Sequence, residues 1–223
     1  MPLGKSKLDT NYEKLIQMIE DLSNETIRIY QETVGALETL DLEVALQVIK
    51  HDQEIDDMCE EIIEEATVMI VRQQPVATDL RKILMIMKLA NEYERIADYT
   101  KNISEYIVLI KEKDSLEHYQ KNVHLLVEMI QVVIKMLEYV FEGLKTEDKS
   151  LIKEAADMDH QIDDLYQEVL AALIQHIQVV DGKVFGTAYA ILINKYIERA
   201  GDHITNICEE VLFALKGRRY ILN

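Results

Sequence analysis

Two stretches about a hundred residues apart carry the same short run. Glu94-Arg95-Ile96-Ala97-Asp98 is followed by Asn102-Ile103, and Glu198-Arg199-Ala200-Gly201-Asp202 by Asn206-Ile207. Such a chain is an internal duplication that must fold into two similar halves, and the duplicated element is acidic. In both copies Glu, Asp and Asn fall at i, i+4 and i+8, which on an α-helix stacks three oxygen-bearing side chains along one face. Like charges at i and i+4 repel, so the helix weakens itself slightly unless a cation or an arginine sits between them. A single Glu-x-x-x-Asp reads as a solvated acidic face with Arg95 and Arg199 as counter-charges. Its repetition, with the same Arg and the same Asn-Ile sequel, reads as a metal site.

At 223 residues the chain can hold one large or two modest cores, and the duplication favours two, divided as 1–112 and 113–223. There is no Trp, Pro occurs twice and Gly seven times, while Leu, Ile, Glu and Lys abound. With few signals for tight hairpins and no credible strand, an all-α architecture is expected. The net charge of −17 repels nucleic acid and anionic headgroups, so partners should present basic patches or be cations. Cys59 and Cys208 lie in helical apolar patterns without Cys-x-x-Cys spacing, as core residues of a reduced, cytosolic protein would. Met1 to Thr10 is polar and lacks the apolar stretch of a signal peptide, and no window resembles a membrane span. Any membrane association is therefore expected to be peripheral, through partners.

Breakers and polar clusters cut the sequence into six long helical segments: 8–37, 41–72, 76–111, 115–145, 148–178 and 184–216. Gly35 with Asp41, Pro75, the Glu112 to Ser115 cluster, Gly143 with Thr146, and Asp181-Gly182 supply the punctuation. Segments of about thirty residues span roughly 45 Å each, and short connections make neighbours antiparallel. Two tandem antiparallel three-helix bundles follow.

The second segment holds an anomaly. Its apolar stripe runs Ala45, Val48, Ile49, Ile55, Cys59, Ile62, Ile63, Ala66, Met69 and Ile70, and continuing the period through the gap lands on Asp52 and Asp56. The fifth segment repeats it: Ile152, Ala155, Ile162, Tyr166, Val169, Leu170 and Leu173 define a stripe on which Asp159 and Asp163 fall. Desolvating unpaired carboxylates is costly, so these core-facing acids need a metal, a basic partner or retained water. Counted from a turn near 74, Asp52 and Asp56 lie roughly 18 to 22 residues back and Glu94 and Asp98 roughly 20 to 24 forward, which makes them nearly level across the hairpin. Counted from about 181, Asp159 and Asp163 lie roughly 18 to 22 back and Glu198 and Asp202 roughly 17 to 21 forward. Four carboxylates are thus expected to converge in each half. Hard oxygen donors without His or Cys suit Mg²⁺, Mn²⁺, Ca²⁺ or Fe in preference to Zn²⁺.

Rival motifs are weak. No His lies three residues after a Glu, so the di-iron Glu-x-x-His signature is missing, with Asp157-x-x-His160 the nearest match. His203 follows Asp202 directly, but its counterpart in the first half is Tyr99, so it reads as a flanking or surface residue. Neither a Walker loop nor a Gly-x-Ser-x-Gly elbow occurs. Met85, Met87, Met129 and Met136 read as core filler, and the Glu60, Glu61, Glu64, Glu65 run as a solvated helix face.

The paired runs, each in the third helix of a three-helix repeat, resemble the PhoU family of phosphate-uptake regulators over nearly the whole chain. The resemblance implies two PhoU bundles, metal bound through the Glu/Asp-x-x-x-Asp motifs, and a cytoplasmic negative regulator of phosphate uptake and phosphate-starvation signalling. The family works between a phosphate ABC transporter and a sensor histidine kinase, as an adaptor and not as an enzyme, and a homodimer is the expected assembly. Carried over residue by residue, the motif acids are Glu94, Asp98, Glu198 and Asp202; Asp52, Asp56, Asp159 and Asp163 are added by the hairpin geometry. The second copy departs from the first in having Ala200-Gly201 for Ile96-Ala97. The expected cofactor is a divalent or trivalent metal, with Fe, Mn or Mg ahead of Zn. Alternative functions are a metal-dependent phosphohydrolase, which would need a basic phosphate clamp beside the acids, and an accessory protein of a low-affinity phosphate permease.

Overall fold

The computed structural model describes residues 7–112, 122–179 and 185–216. Its elements are α1 (Lys7–Thr39), α2 (Leu42–Gln73), α3 (Thr78–Glu112), α4 (Val123–Thr146), α5 (Lys149–Asp157), α6 (Asp159–Val179) and α7 (Phe185–Lys216), with no strand among the described residues. The fold is all-α, and α1–α3 and α4–α7 form the two halves expected from the duplication. α1 buries a stripe that recurs every three or four residues, comprising Leu15, Ile19, Leu22, Thr26, Ile29, Tyr30, Thr33 and Leu37. The stripe in α2 is the expected one, with Ala45, Val48, Ile55, Cys59, Ile62, Ala66 and Met69 buried. The second half was expected to begin at 113 and its first helix at 115, and 113–121 lie outside the described residues, as does 184.

Among the described residues the turns do not use the glycines, and the expected Asp181-Gly182 turn lies outside those residues. Gly35 and Gly143 lie inside α1 and α4, while the left-handed backbone of the turns is carried by Leu40, Gln74, Ala77 and Glu147, whose φ lies between 47° and 54°. What starts α2 and α5 is an aspartate. Asp41 accepts from the backbone N–H of Glu43 and Val44 at 2.9 and 3.2 Å, and Asp148 accepts from the N–H of Ser150 at 2.8 Å, each satisfying donors that a helix start leaves unpaired. Gly143 serves packing: a Cβ there would come within 2.7 Å of Ile152 Cδ1 and 3.0 Å of the Asp148 carbonyl. It lets α5 fold back closely on α4.

One expected segment, 148–178, is two helices. The chain breaks at Met158, whose N–H still reaches the carbonyls of Glu154 and Ala155 while its own carbonyl accepts from Gln161 N at 2.9 Å. The break resets the helical phase. Beyond it the buried stripe is Ile162, Leu165, Val169 and Leu173, so Leu165 replaces Tyr166 and Leu170 at the core.

The halves meet through their third helices. The contacts pair Lys88 with Glu210, Glu92 with His203, Tyr99 with Tyr196 and Tyr106 with Tyr189, so α3 and α7 run antiparallel. Tyr99 also faces His203, its equivalent under the duplication, with ring centroids 5.6 Å apart. Tyr99–Tyr196 and His203–Glu92 are the same contact seen from the two halves, which places an approximate twofold axis beside Tyr99 and His203. α4 packs on its own half and also on α1, so its apolar face is wide enough to bury the consecutive Val132, Val133 and Ile134.

Candidate functional site

In the first half, α2 presents Asp52 and Asp56 from a gap in its apolar stripe and α3 presents Glu94 and Asp98 opposite them, all four half-buried. The Asp98 carboxyl is pushed up to about 6, first by burial, then by a hydrogen bond with Asp52 and by the charges of Asp52 and Asp56; Lys101 opposes the rise. Two carboxyls this close favour sharing a proton. Asp56 is raised as well, by burial and then by Asp52. Glu94 belongs to the same neighbourhood, since burial first and then Glu94, Asp56 and Asp98 push the Cys59 thiol up to about 12. The hairpin count therefore agrees with the placing of Asp52 and Asp56 beside Asp98. What it omits is Lys101, one turn beyond Asp98, whose Nζ forms an ion pair with Asp52 Oδ2 and is itself raised by it.

The second half repeats the arrangement with changes. Asp159, at the first turn of α6, is half-buried and pushed up to about 6, by burial first and then by Asp163, Asp202 and Glu198, while His160 opposes. It lies against Gly201, where a Cβ would sit 2.5 Å from Asp159 Oδ1 and 2.9 Å from Ile162 Cδ1. The one departure of the second motif from the first thus makes room for an acid of the cluster. Glu198 is held by Lys195, Nζ to Oε2 at 2.5 Å. Asp163 is a correction: it was expected to face the core and is exposed, because the break at Met158 turns α6 away from the phase of α5. Asp202 is exposed too, so this cluster stands more open to solvent than the first.

Other motif residues point elsewhere. Arg95 approaches Asp98 only at 3.9 Å, and the Arg199 guanidinium stacks 5.7 Å from the Tyr99 ring, across the boundary between the halves. Asn102 donates to the backbone carbonyl of Asp98 at 2.7 Å, and Asn206 donates to Glu92 Oε2 at 3.3 Å, so neither extends the row of acids. His203 is an interface residue, its Nδ1 2.7 Å from Glu92 Oε2. Tyr99 feels both motifs: after burial, which raises it most, Arg199 and Arg95 pull its hydroxyl down while Asp98 and Asp202 push it up.

Among the described residues, one group of three acids or histidines has ligand atoms all within 4.8 Å of one another, and it is not a predicted one: Glu25, His51 and Glu54. Arg28 already fills it. Its Nε donates to Glu25 at 3.0 Å, its Nη2 lies 2.8 Å from His51 Nδ1, and it holds Glu25 below the usual carboxylate range despite partial burial. A guanidinium in the middle makes this an ion-pair network joining α1 to α2, poorly suited to a cation. Among the described residues, neither predicted quartet brings three ligand atoms that close together. The donor sets of the quartets are hard carboxylate oxygens, partly countered by Lys101 and Lys195, a chemistry that suits Mg²⁺, Mn²⁺ or Fe.

The model of the PhoU domain matches residues 19–107 and again 126–211, once in each half. The chain belongs to the PhoU family. Among curated PhoU homologues, a phosphate-specific transport system accessory protein of Zymomonas mobilis is 31% identical over 187 residues, which are 84% of this chain and 77% of that protein. A second, from Thermotoga maritima, is 28% identical over 95% of this chain and 87% of its own length. The PhoU crystal structure from Streptococcus pneumoniae superposes with a TM-score of 0.88 at 23% identity, covering 97% of this chain and all of that one. PhoU from Pseudomonas aeruginosa gives 0.87 at 25% identity, over 95% of this chain and all of its own. Relatives in this family carry the names of accessory or regulatory proteins.

Proposed function

We propose that this PhoU protein is a cytoplasmic, non-enzymatic negative regulator of phosphate uptake and phosphate-starvation signalling. It would act as an adaptor between a phosphate ABC transporter and a sensor histidine kinase. The names of its relatives support a role in phosphate transport. The observation that carries the reading is the pair of duplicated carboxylate quartets, each with one aspartate pushed up to about 6 by burial and like charge. Asp52, Asp56, Glu94 and Asp98 would hold a metal in the first half, and Asp159, Asp163, Glu198 and Asp202 in the second. A bound cation would supply the positive charge that the acids other than Asp52 and Glu198 lack, which would link metal binding to stability. Lys101 and Lys195 meanwhile occupy Asp52 and Glu198 as local counter-charges. The net charge of −17 favours docking on basic cytoplasmic surfaces and disfavours nucleic acid.

The test has two arms. Purified protein should carry Mn or Fe by elemental analysis and melt at higher temperature with Mn²⁺, and Asp98→Ala with Asp202→Ala should lose both effects. Deletion of the gene should derepress phosphate-starvation genes when phosphate is plentiful, and the protein should form a salt-sensitive complex with the transporter or kinase. Undiminished metal content in the double variant would move the site elsewhere. Enzymatic turnover of phosphate esters, together with unchanged starvation-gene expression on deletion, would replace the adaptor by a phosphohydrolase.

A further inference from the structure

In a chain with 41 acidic and 24 basic side chains, one cavity reverses the balance. It has a volume of about 340 Å³ between the start of α1 and the end of α2 and is lined by Lys7, Lys14 and Arg72, the amides Asn11 and Gln73, and a single carboxylate, Glu65. This volume falls at the lower end of the range taken by small-molecule sites, about 300 to 1,000 Å³. Arg72 stands about sixteen residues from Asp56 along α2, on the order of 24 Å at 1.5 Å per residue, so the cavity lies apart from the acid quartet.

The lining has the chemistry of an anion site. Lys14 Nζ is held 2.9 Å from Glu65 Oε1, with both side chains about half exposed, so the lysine is positioned on the cavity wall while its other protons remain available. Among the described residues Arg72 makes no ion pair. An unpaired guanidinium beside two ammonium groups matches the oxygens of a phosphate, which accept charge-assisted and bidentate bonds. The antiparallel helices bring the positive start of α1 beside the negative end of α2, so their dipoles oppose and the side chains decide the sign. No aromatic ring lines the cavity for a base to stack on.

We propose that this cavity binds a small soluble anion carrying one or more phosphate groups, recognised through Lys7, Lys14 and Arg72, with Glu65 limiting the affinity. The site is independent of the metal reading. Isothermal titration at low and at physiological salt, with inorganic phosphate, pyrophosphate and ATP as probes, should give binding that strengthens with phosphate number and weakens with salt. Removing one charge-assisted contact typically costs about tenfold in affinity, so Lys14→Gln and Arg72→Gln should each weaken pyrophosphate by roughly that factor. Glu65→Gln should act in the opposite direction and tighten it, a sign that mere damage to the fold would not produce; circular dichroism checks the fold of each variant. Failure of all three probes to bind overturns the proposal, and so does binding that the Lys14, Arg72 and Glu65 variants leave unchanged. Vesicles of phosphatidylglycerol form the last arm: if they alone bind, and Arg72→Gln releases them, the surface is a membrane contact and the soluble-anion site is wrong.

Discussion

Three helical glycines offer a controlled measurement of why the second motif reads Ala200-Gly201. A glycine inside a helix costs up to about 1 kcal/mol relative to alanine through backbone entropy alone. Gly35 is the reference, since it lies in α1 with nothing within 4 Å of where a Cβ would stand. Gly35→Ala should therefore stabilise by about 0.5 to 1 kcal/mol. At Gly201 the same gain meets Asp159 Oδ1 at 2.5 Å and Ile162 Cδ1 at 2.9 Å. Overpacking costs about 1 to 3 kcal/mol, so the net change for Gly201→Ala should lie between about zero and about 2.5 kcal/mol of destabilisation. The two variants should differ by about 1 to 3 kcal/mol, which in a protein of this size separates their Tm by roughly 2 to 12 °C. Gly143→Ala should fare worst, because its Cβ also meets the backbone carbonyl of Asp148 at 3.0 Å, which cannot swing aside as a side chain can. The assay is thermal and urea unfolding of the four proteins in metal-free buffer, followed by Mn²⁺ titration, where the displaced Asp159 carboxylate should weaken binding in Gly201→Ala and leave Gly35→Ala unaffected. A Gly201→Ala protein as stabilised as Gly35→Ala would refute the argument that this glycine exists to seat Asp159.

Further outcomes follow from the electrostatics and caps. Asp98 and Asp159 have folded values near 6, above the ordinary 3.8, so between about pH 4 and pH 6 the native state binds more protons than the unfolded chain and metal-free stability falls as pH rises through that window. Two units correspond to nearly 3 kcal/mol, but with Asp98 a third exposed the effect should be nearer 1, so Asp98→Asn should stabilise by about 1 kcal/mol at pH 8 and hardly at all at pH 4, as read by urea unfolding. Cys59 and Cys208 are buried and burial pushes both thiols up, Cys59 to about 12, so neither should react with a disulfide reagent at pH 8 until urea unfolds the chain; stoichiometric reaction of the native protein would contradict their placement. Asp41→Ala removes a cap and should cost about 1 kcal/mol, a fall of roughly 2 to 4 °C in Tm that Asp41→Ser should largely restore.

The sequence made the architecture legible because helical periodicity reports which face is buried. The stripe of α2, the all-α class and the level of Asp52 and Asp56 opposite Glu94 and Asp98 all follow from counting at 3.6 residues per turn. Periodicity does not report what a face is buried against. Arg199 and Asn206 sit in the motif and were read with the acids, yet α7 turns them toward Tyr99 and Glu92 of the other half. Lys101 stood in plain view three residues after Asp98, but its pairing with Asp52 depends on the distance between α2 and α3. The break at Met158 has neither Pro nor Gly to announce it, and Asp163 is exposed beyond it. The Arg28 network was invisible for a similar reason: Glu25 and His51 lie on different helices, joined by a contact that no local pattern encodes.

The duplication places each acidic motif on the helix that also joins the halves, and adjacent residues serve the two purposes. Asp98 turns toward α2, while Tyr99, one residue and about 100° further round the helix, turns toward α7. Near the approximate twofold axis the two motifs share an environment, since the Tyr99 hydroxyl responds to Asp98 and Arg95 of its own half and to Asp202 and Arg199 of the other. Glu92 completes the junction by meeting both His203 and Asn206. A change of charge in either quartet therefore alters the field at contacts that belong to both bundles. Two separate domains joined by a linker would titrate independently; here Tyr99 lies within reach of charges from both clusters, so the charge of either one is felt at a packing contact between the halves.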